Sequence, residues 1–190
     1  MLYPFSALLA RMKYITRWSL MHSTRAESLS EHTCDTALLA HLLCLIAKHY
    51  TGTPCRPEVV AVAALYHDAS EILTGDLPTP IKYYNPDIKT AYKEVERIAG
   101  NRLLDMLPPE LRSSYTHYVL EDDAELEPFV KAADKLSAHI KCLEEQKAGN
   151  TEFDSAAQQT LDALKAMNSP ELEWFLNNCL QAFTLNLDQL

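Results

Sequence analysis

The stretch "AVAALYHDASEILTGD", residues 61–76, places His67, Asp68 and Glu71 at the end of an apolar run. Charge beside such a run is unfavourable unless hydrogen bonds or a bound cation compensate it. His32 and Asp134 repeat the same donor types elsewhere in the chain. If they converge, the two imidazoles and two carboxylates form a mixed nitrogen and oxygen site. Such a site suits Mn, Co, Fe or Zn and is poor for copper(I).

Each of these residues, taken alone, also has a simpler interpretation. A histidine such as His32 on an apolar helix stripe is most often a hydrogen-bonded core residue. A His-Asp dipeptide arises easily by chance in a chain with seven histidines. Asp134 could pair with Lys131 or Lys135 on a solvated helix face. The argument for a metal site therefore depends on which helices carry the four residues.

Three predicted helices carry the candidate ligands. Ser28 to Glu31 form a capping box, which predicts a helix from Ser28 to near Tyr50 or Gly52 with His32 in its first turn. Pro57 starts a second helix that is apolar nearly all round, so we expect it to be central, buried and continuous to Gly75. His67 and Asp68 lie in its last turns. Asp134 lies in a third helix, between Pro128 and Gly149, among small alanines that allow helices to approach closely.

The rest of the chain also favours helices. The opening "MLYPFSALLARMKYITRW" has the spacing of an amphipathic helix, and "GDLPTP" predicts a stiff non-helical loop. Further helix starts are predicted at Asn85, Pro109, Thr151 and Ser169. No convincing strand or repeat is present. We expect an all-α fold with one domain over residues 1–190, a core at about 28–145, and C-terminal helices at about 151–184 that pack on the core or form a dimer face.

Composition restricts the partners and the compartment. The 190-residue chain carries a formal net charge of −9, which disfavours a nucleic acid polymer but allows a small phosphate ligand. No apolar run approaches ~18 residues, so no membrane partner is expected. Five cysteines without a C-x-x-C pair indicate reduced thiols in a cytoplasmic protein.

The order H…HD…D, as His32, His67-Asp68 and Asp134, resembles the signature of the HD-domain superfamily of metal-dependent phosphohydrolases. The longer strings are similar in particular to the bacterial 5'-deoxynucleotidases of the YfbR type. These strings lie between residue 17 and about residue 145 and read "RWSLM", "AESLSEHT", "LYHDASEILTGDLPTPIKYYN" and "VKAADKLSAHIKCLEE".

The resemblance implies an HD-domain helical bundle that hydrolyses deoxyribonucleoside 5'-monophosphates to deoxyribonucleoside and phosphate and discriminates against ribonucleotides. It implies one divalent metal ion per subunit, Co²⁺ or Mn²⁺ ahead of Zn²⁺ or Fe²⁺, and a homodimer. The implied metal ligands are His32, His67, Asp68 and Asp134, of which His32 and Asp68 also contact substrate. The other implied site residues are Arg17 at the phosphate, Trp18 beside the sugar, Glu71 for turnover, and the loop of Asp76, Leu77, Pro78 and Thr79 against the nucleotide.

Several alternatives stay open at this point. Trp18 could simply cap the core after the first helix, Asp76 could cap the turn after Gly75, and Glu71 could be an acceptor for His67. The reaction could instead be that of another HD phosphohydrolase, acting on a nucleoside triphosphate or a cyclic nucleotide. A non-catalytic nucleotide-binding regulatory module is a further alternative. The base preference and the physiological metal are not determined by the sequence.

Overall fold

The computed structural model describes residues 2–82 and 84–190, except for the side chains of Thr79 and Pro80. Within the described residues the secondary structure is helical apart from an isolated antiparallel bridge between Thr16 and Ser28. The predicted all-α fold class is therefore confirmed. The α-helices are α1 (Phe5–Leu9), α2 (Leu29–Ile46), α3 (Pro57–Tyr66), α4 (Glu71–Thr74), α5 (Thr79–Lys82), α6 (Pro86–Leu104), α7 (Pro109–Val119), α8 (Glu127–Lys147), α9 (Asp154–Ala166) and α10 (Pro170–Asn178).

Helix α2 begins as its sequence predicts. The backbone N–H of Glu31 donates to Ser28 Oγ at 3.2 Å, and the Glu31 carboxylate accepts the backbone N–H of Ser28 at 2.8 Å. This reciprocal capping box satisfies two of the free N–H groups at the helix start. At the other end, a π-helical turn, Ala47–Thr51, leads to Gly52, whose φ of 77° ends the helix. His32 is thereby held in the first turn of α2.

Helix α3 differs from the prediction in length and burial. It ends at Tyr66, residues 67–70 form irregular turns, and α4 resumes the helix at Glu71. His67 Nδ1 binds the carbonyl oxygen of Ala64 at 2.7 Å, so a side chain takes an acceptor that the continuing helix would use. The helix is also less buried than predicted: Val60, Ala63 and Ala64 are buried, but Val62 and Leu65 are 36% and 42% exposed. A pattern that is apolar all round has no periodicity to show which face is covered.

Three smaller predictions need correction. The N-terminal helix is short, because α1 is followed by a separate 3₁₀ turn, Met12–Tyr14. The segment "GDLPTP" is not wholly non-helical, because its last two residues begin α5, where a proline in the first turn is tolerated. Asn150, and not Thr151, caps the turn that precedes α9. The predicted caps at Asn85 and Ser169 are confirmed.

The main apolar core lies between α2, α3 and α8. Leu43, Ala64 and Leu136 are fully buried in it. Leu172 and Phe175 of α10 belong to the same buried cluster, so the C-terminal helices pack on this core. Within the described residues, no helix is both long and apolar enough to cross a bilayer. The ends of α2 and α3 and the middle of α8 are thus held together by one core.

Candidate metal centre

The four predicted ligands come from three segments that the core brings together. His32 lies in the first turn of α2, His67 and Asp68 in the turns after α3, and Asp134 in α8. One donor atom each of His32, His67 and Asp68 falls within 4.8 Å of the others. His32 Nε2 lies 3.2 Å from Asp134 Oδ1 and 3.5 Å from Asp68 Oδ2, while His67 Nε2 lies 3.2 Å from Asp68 Oδ2. The structure therefore gathers all four side chains.

The Nε2 atoms of His32 and His67 lack hydrogen-bond partners within the described part of the chain. Both are buried, and their short contacts with Asp68 and Asp134 do not have hydrogen-bond geometry. A buried polar atom without a partner is unfavourable, and such atoms are rare. Two ring nitrogens and two carboxylates that approach one another without bonding fit a divalent cation between them.

The opposite ring nitrogens are held in place. His67 Nδ1 donates to the Ala64 carbonyl, and because a carbonyl only accepts, the neutral His67 ring keeps its lone pair on Nε2. His32 Nδ1 lies 3.2 Å from the hydroxyl of Ser137, one helical turn beyond Asp134 on α8. Metal-binding histidines are commonly oriented by such partners. Both rings are therefore arranged to present Nε2 to the centre.

The carboxylates of Asp68 and Asp134 favour a positive charge at the centre of the cluster. Burial alone would lower the pKa of His67, but Asp68 beside it raises that pKa to about 10. Burial would conversely raise the pKa of Asp68, yet His67, His32 and Arg17 hold it well below its usual range. The pKa of Asp134 is lowered in the same way, against burial, chiefly by His32. A proton or a metal ion can supply this positive charge, and a metal ion would release the proton on binding.

Arg17 lies at the edge of the centre. Its Nη1 donates to Asp68 Oδ2 at 3.4 Å, and its side chain is 13% exposed. Burial would lower the pKa of Arg17, but Asp68, Asp134, Glu27 and Asp76 raise it. A permanently charged fork with two directed donors is thus placed beside a cation site, which is the arrangement that binds a phosphate.

Trp18 is half-buried and held on two sides. Its indole Nε1 donates to Glu27 Oε2 at 2.8 Å, and its ring packs against Phe153 with centroids 5.3 Å apart. Its φ of 59° is in the left-handed region, which is uncommon for a bulky residue. The indole therefore has a defined position directly after Arg17. The contact with Phe153 agrees with the core-capping alternative, and it leaves a role beside the sugar open.

Glu71 and Asp76 lie near Arg17, whose charge acts on the pKa of both carboxyl groups. Glu71 is 4% exposed, and its Oε2 has no hydrogen-bond partner among the described residues. Burial and the charges of Asp68 and Asp76 raise the pKa of Glu71 to about 9. Burial also raises the pKa of Asp76, while Arg17 opposes the rise. An unpaired, buried carboxyl group is therefore available next to the metal centre.

The loop that follows Asp76 is partly buried where its side chains are described. Leu77 and Pro78 are half-buried in the irregular segment before α5, and the side chain of Thr79 lies outside the described residues. Two residues of the site were not predicted from the sequence, Ser137 and Glu27. Ser137 could have been found, because it lies three residues after Asp134 and so shares its helix face. Nothing local to Glu27 indicates its contacts with Arg17 and Trp18.

Comparison with known sequences identifies a matching family. The model of the 5'-deoxynucleotidase YfbR-like family matches residues 4–183. A curated 5'-deoxynucleotidase of Vibrio atlanticus is 45% identical over 188 residues, which are 98% of this chain and 97% of the relative. A 5'-deoxynucleotidase of Erwinia tasmaniensis is 46% identical over 188 residues, 98% of this chain and 95% of the relative.

Solved structures share the fold. The HD-domain phosphohydrolase lin2634 of Listeria innocua superposes with a TM-score of 0.82 at 20% identity, covering 96% of this chain and 89% of the other. The HD phosphohydrolase DatZ of cyanophage S-2L, solved with dA and one catalytic Zn²⁺ ion, superposes with a TM-score of 0.68 at 20% identity, covering 93% of this chain and 96% of the other. At these identities the similarity concerns the fold alone.

Proposed function

Because the chain belongs to the YfbR-like family of 5'-deoxynucleotidases, we propose that it hydrolyses deoxyribonucleoside 5'-monophosphates to deoxyribonucleoside and phosphate and rejects ribonucleotides. It is a hydrolase of phosphoric monoesters. The observation that carries the proposal is the pair of unpartnered Nε2 atoms of His32 and His67, which face Asp68 and Asp134 beside Arg17. A phosphate dianion needs such charge neutralisation before water can attack it.

One divalent ion per subunit would be held by His32, His67, Asp68 and Asp134. When bound, it supplies Lewis acidity towards a phosphate oxygen and lowers the pKa of a water molecule towards neutrality. The mixed nitrogen and oxygen donor set suits Co²⁺ or Mn²⁺, and it also admits Zn²⁺ or Fe²⁺. His32 and Asp68 also contact the phosphate in this proposal, since Asp68 Oδ2 lies 3.4 Å from Arg17 Nη1 and 3.5 Å from His32 Nε2.

Arg17 binds the phosphate in this proposal. Its Nη1 already donates to Asp68 Oδ2, so an oxygen bound near that carboxylate lies within reach of the same guanidinium. The planar fork offers two parallel donors and stays charged at every pH of interest. Arg17 thereby orients the ester so that the phosphorus faces the attacking water.

Glu71 acts on a proton of the reaction. Its buried Oε2 has no partner in the part of the chain that the structure describes, so in this proposal it bonds either the attacking water or the departing O5'. The first role orients the nucleophile, and the second delivers a proton to the leaving group. The raised pKa of Glu71 supports the second role, because a carboxyl that keeps its proton can donate it.

The sugar is recognised by Trp18 and by the loop of Asp76, Leu77, Pro78 and Thr79. A rigid indole against C2' leaves no room for a ribose hydroxyl and offers it little hydrogen bonding. Such a mismatch reduces binding by about 1–3 kcal/mol, since a buried hydroxyl is left unpaired. Asp76 accepts a hydrogen bond from the 3'-hydroxyl, and its stiff loop limits the ordering needed on binding.

Phosphate release measured with dAMP, AMP, dATP and a cyclic nucleotide tests the proposal. The metal-stripped protein is supplied with Co²⁺ or Mn²⁺, and Asp68→Asn serves as the metal-site control. We expect hydrolysis of dAMP well above that of AMP, and none by Asp68→Asn. Preferential hydrolysis of dATP or the cyclic nucleotide would assign another phosphohydrolase activity. Tight dAMP binding without turnover would indicate a regulatory module.

We further propose that residues 1–190 form one HD domain that dimerises in the cytoplasm. The burial of Leu172 and Phe175 in the main core supports one domain. Helices α2 and α3 expose the apolar side chains of Leu38 and Leu65, at 67% and 42%, and this exposure supports a homodimer. The five cysteines are unpaired, as expected for a reducing compartment. Light scattering of wild type and Leu38→Glu tests the dimer, which the substitution should dissociate.

A further inference from the structure

The side chain of Glu27 contacts both Arg17 and Trp18. Its Oε2 accepts the indole N–H of Trp18 at 2.8 Å and lies 3.4 Å from Nε of Arg17. Its backbone carbonyl accepts the N–H of Arg17 at 3.0 Å. The carboxylate is 11% exposed, so solvent screens these contacts only weakly. One oxygen atom thus serves the proposed phosphate ligand and the proposed sugar gate together.

Backbone hydrogen bonds join the segment around Glu27 to the segment that carries Arg17 and Trp18. Thr16 and Ser28 form an antiparallel bridge, and the N–H of Leu29 donates to the Ile15 carbonyl at 2.8 Å. Glu27 directly precedes Ser28, which begins the capping box of α2, so its backbone is also attached to a fixed helix start. The backbone of Glu27 is therefore fixed both by the start of α2 and by its pairing with the Arg17 segment.

The opposite sides of Arg17 and Trp18 are held by other residues. Nη1 of Arg17 donates to Asp68, and the Trp18 ring packs on Phe153. Arg17 therefore lies between Asp68 and Glu27, and Trp18 lies between Phe153 and Glu27. Glu27 is the contact that the two side chains share. Removing it would free one side of each residue at once.

We infer that Glu27 is a positioning residue that orients Arg17 towards the phosphate and Trp18 towards the sugar, and so couples phosphate binding to sugar discrimination. This inference rests on the proposed function for the roles of Arg17 and Trp18. Glu27 itself touches no reacting atom. Its two contacts differ in kind, one a charge facing a guanidinium and the other an acceptor for an N–H, so substitutions can separate them.

Glu27→Gln and Glu27→Ala make this separation. Glutamine keeps an oxygen for the indole N–H and loses the charge, so kcat/KM for dAMP should fall roughly 10–100-fold while the preference for dAMP over AMP changes little. Alanine loses both contacts, so that preference should also fall, by roughly 5-fold or more. Glu152→Ala is the matched control, because Glu152 also accepts a backbone N–H from this loop, that of His22 at 3.0 Å, and it should leave both quantities unchanged.

A second measurement does not depend on turnover. The chain has two tryptophans, so in a Trp174→Phe background the emission reports Trp18 alone. Glu27→Ala should shift this emission to the red and increase its quenching by acrylamide, and Glu27→Gln should change it less. Far-UV circular dichroism of each variant establishes that the helices are intact.

The outcomes distinguish the two proposals. If wild type fails to hydrolyse dAMP while Glu27→Ala shifts the Trp18 emission to the red, the proposed function is wrong, but the contact of Glu27 with Trp18 is supported. If wild type is active and Glu27→Ala keeps the emission, the rate and the preference for dAMP, the inference is overturned. It is equally overturned if Glu27→Ala and Glu152→Ala lower the rates for dAMP and AMP by the same factor, because that pattern marks a purely structural role.

Discussion

Arg17 and Asp68, 51 residues apart in the chain, meet through a hydrogen bond of 3.4 Å from Nη1 to Oδ2. This contact places the only guanidinium described at the metal centre directly on a carboxylate that is itself a proposed metal ligand. The proposed phosphate-binding charge and the proposed metal ligands are thereby parts of one cluster. Its separate functions can be tested by substitutions that affect one and spare the other.

Arg17→Lys should lower kcat by roughly 100-fold, because lysine offers a point charge in place of two directed donors at the charge that develops in the transition state. Metal content, measured by elemental analysis, should stay at the wild-type level. Arg25→Lys is the matched control, since Arg25 forms an exposed ion pair with Glu31. Wild-type rates in Arg17→Lys would remove Arg17 from the site.

Ser137→Ala should weaken Co²⁺ binding by roughly 10–100-fold, because the hydroxyl that orients the His32 ring is lost. Calorimetric titration of the metal-free protein measures this effect. Thr160→Val removes a similar bond, that of Thr160 Oγ1 to Nδ1 of His139 at 2.9 Å, and should leave Co²⁺ affinity unchanged. Equal affinities of wild type and Ser137→Ala would show that His32 needs no such partner.

Trp18→Ala, if folded, should raise the relative rate with AMP, because removing the indole opens space beside C2'. The expected change in preference is roughly 5–150-fold, the equivalent of about 1–3 kcal/mol. Trp18→Phe keeps an aromatic ring without the N–H that reaches Glu27, and it should give an intermediate preference. Unaltered rejection of AMP by Trp18→Ala would leave this residue with its packing role against Phe153 alone.

Glu71→Gln should abolish one limb of the pH dependence of kcat. Burial and two neighbouring carboxylates raise the pKa of Glu71 to about 9, so the wild-type carboxyl loses its proton as the pH rises through that region. If the protonated form gives its proton to O5', the wild-type rate falls on the alkaline side and the variant shows no such fall. A variant profile that keeps both limbs would exclude proton transfer by Glu71.

Glu145→Gln should destabilise the protein at pH 7 by about 3–5 kcal/mol, because it leaves the buried ammonium of Lys141 without its counter-charge. Burial opposes ionisation of Glu145, but hydrogen bonds from Lys141, Asn150 and Thr24 lower its pKa from 4.5. Since a lowered pKa stabilises the fold only above the unfolded value, the difference in Tm between wild type and variant should be full at pH 7 and shrink as the pH falls below about 4.5.

The control for this measurement is Glu94→Gln, which breaks an exposed ion pair with Arg97 on α6. Because solvent screens that pair, its loss should change Tm little at any pH. A Glu145→Gln protein whose Tm differs from wild type by a constant amount from pH 3 to pH 7 would contradict the assigned charge interaction.

The helix starts could be predicted from the sequence because they depend on neighbours in the chain. The capping box of Ser28 and Glu31 and the caps at Asn85 and Ser169 involve atoms within three residues of one another. The donor types were also present in the sequence, so a mixed nitrogen and oxygen site and a family resemblance followed from His32, His67-Asp68 and Asp134. These properties are local or compositional.

The sequence by itself thus determined most of the helix starts, the kinds of ligand and the family, whereas the tertiary structure decided how the side chains meet. The helix break at His67, the bond of Ser137 to His32, and the shared carboxylate of Glu27 all follow from packing between distant segments or from competition for one carbonyl. Such contacts depend on how three helices are oriented around a common core. Helical periodicity cannot indicate that orientation when every face of a helix is apolar, as in α3.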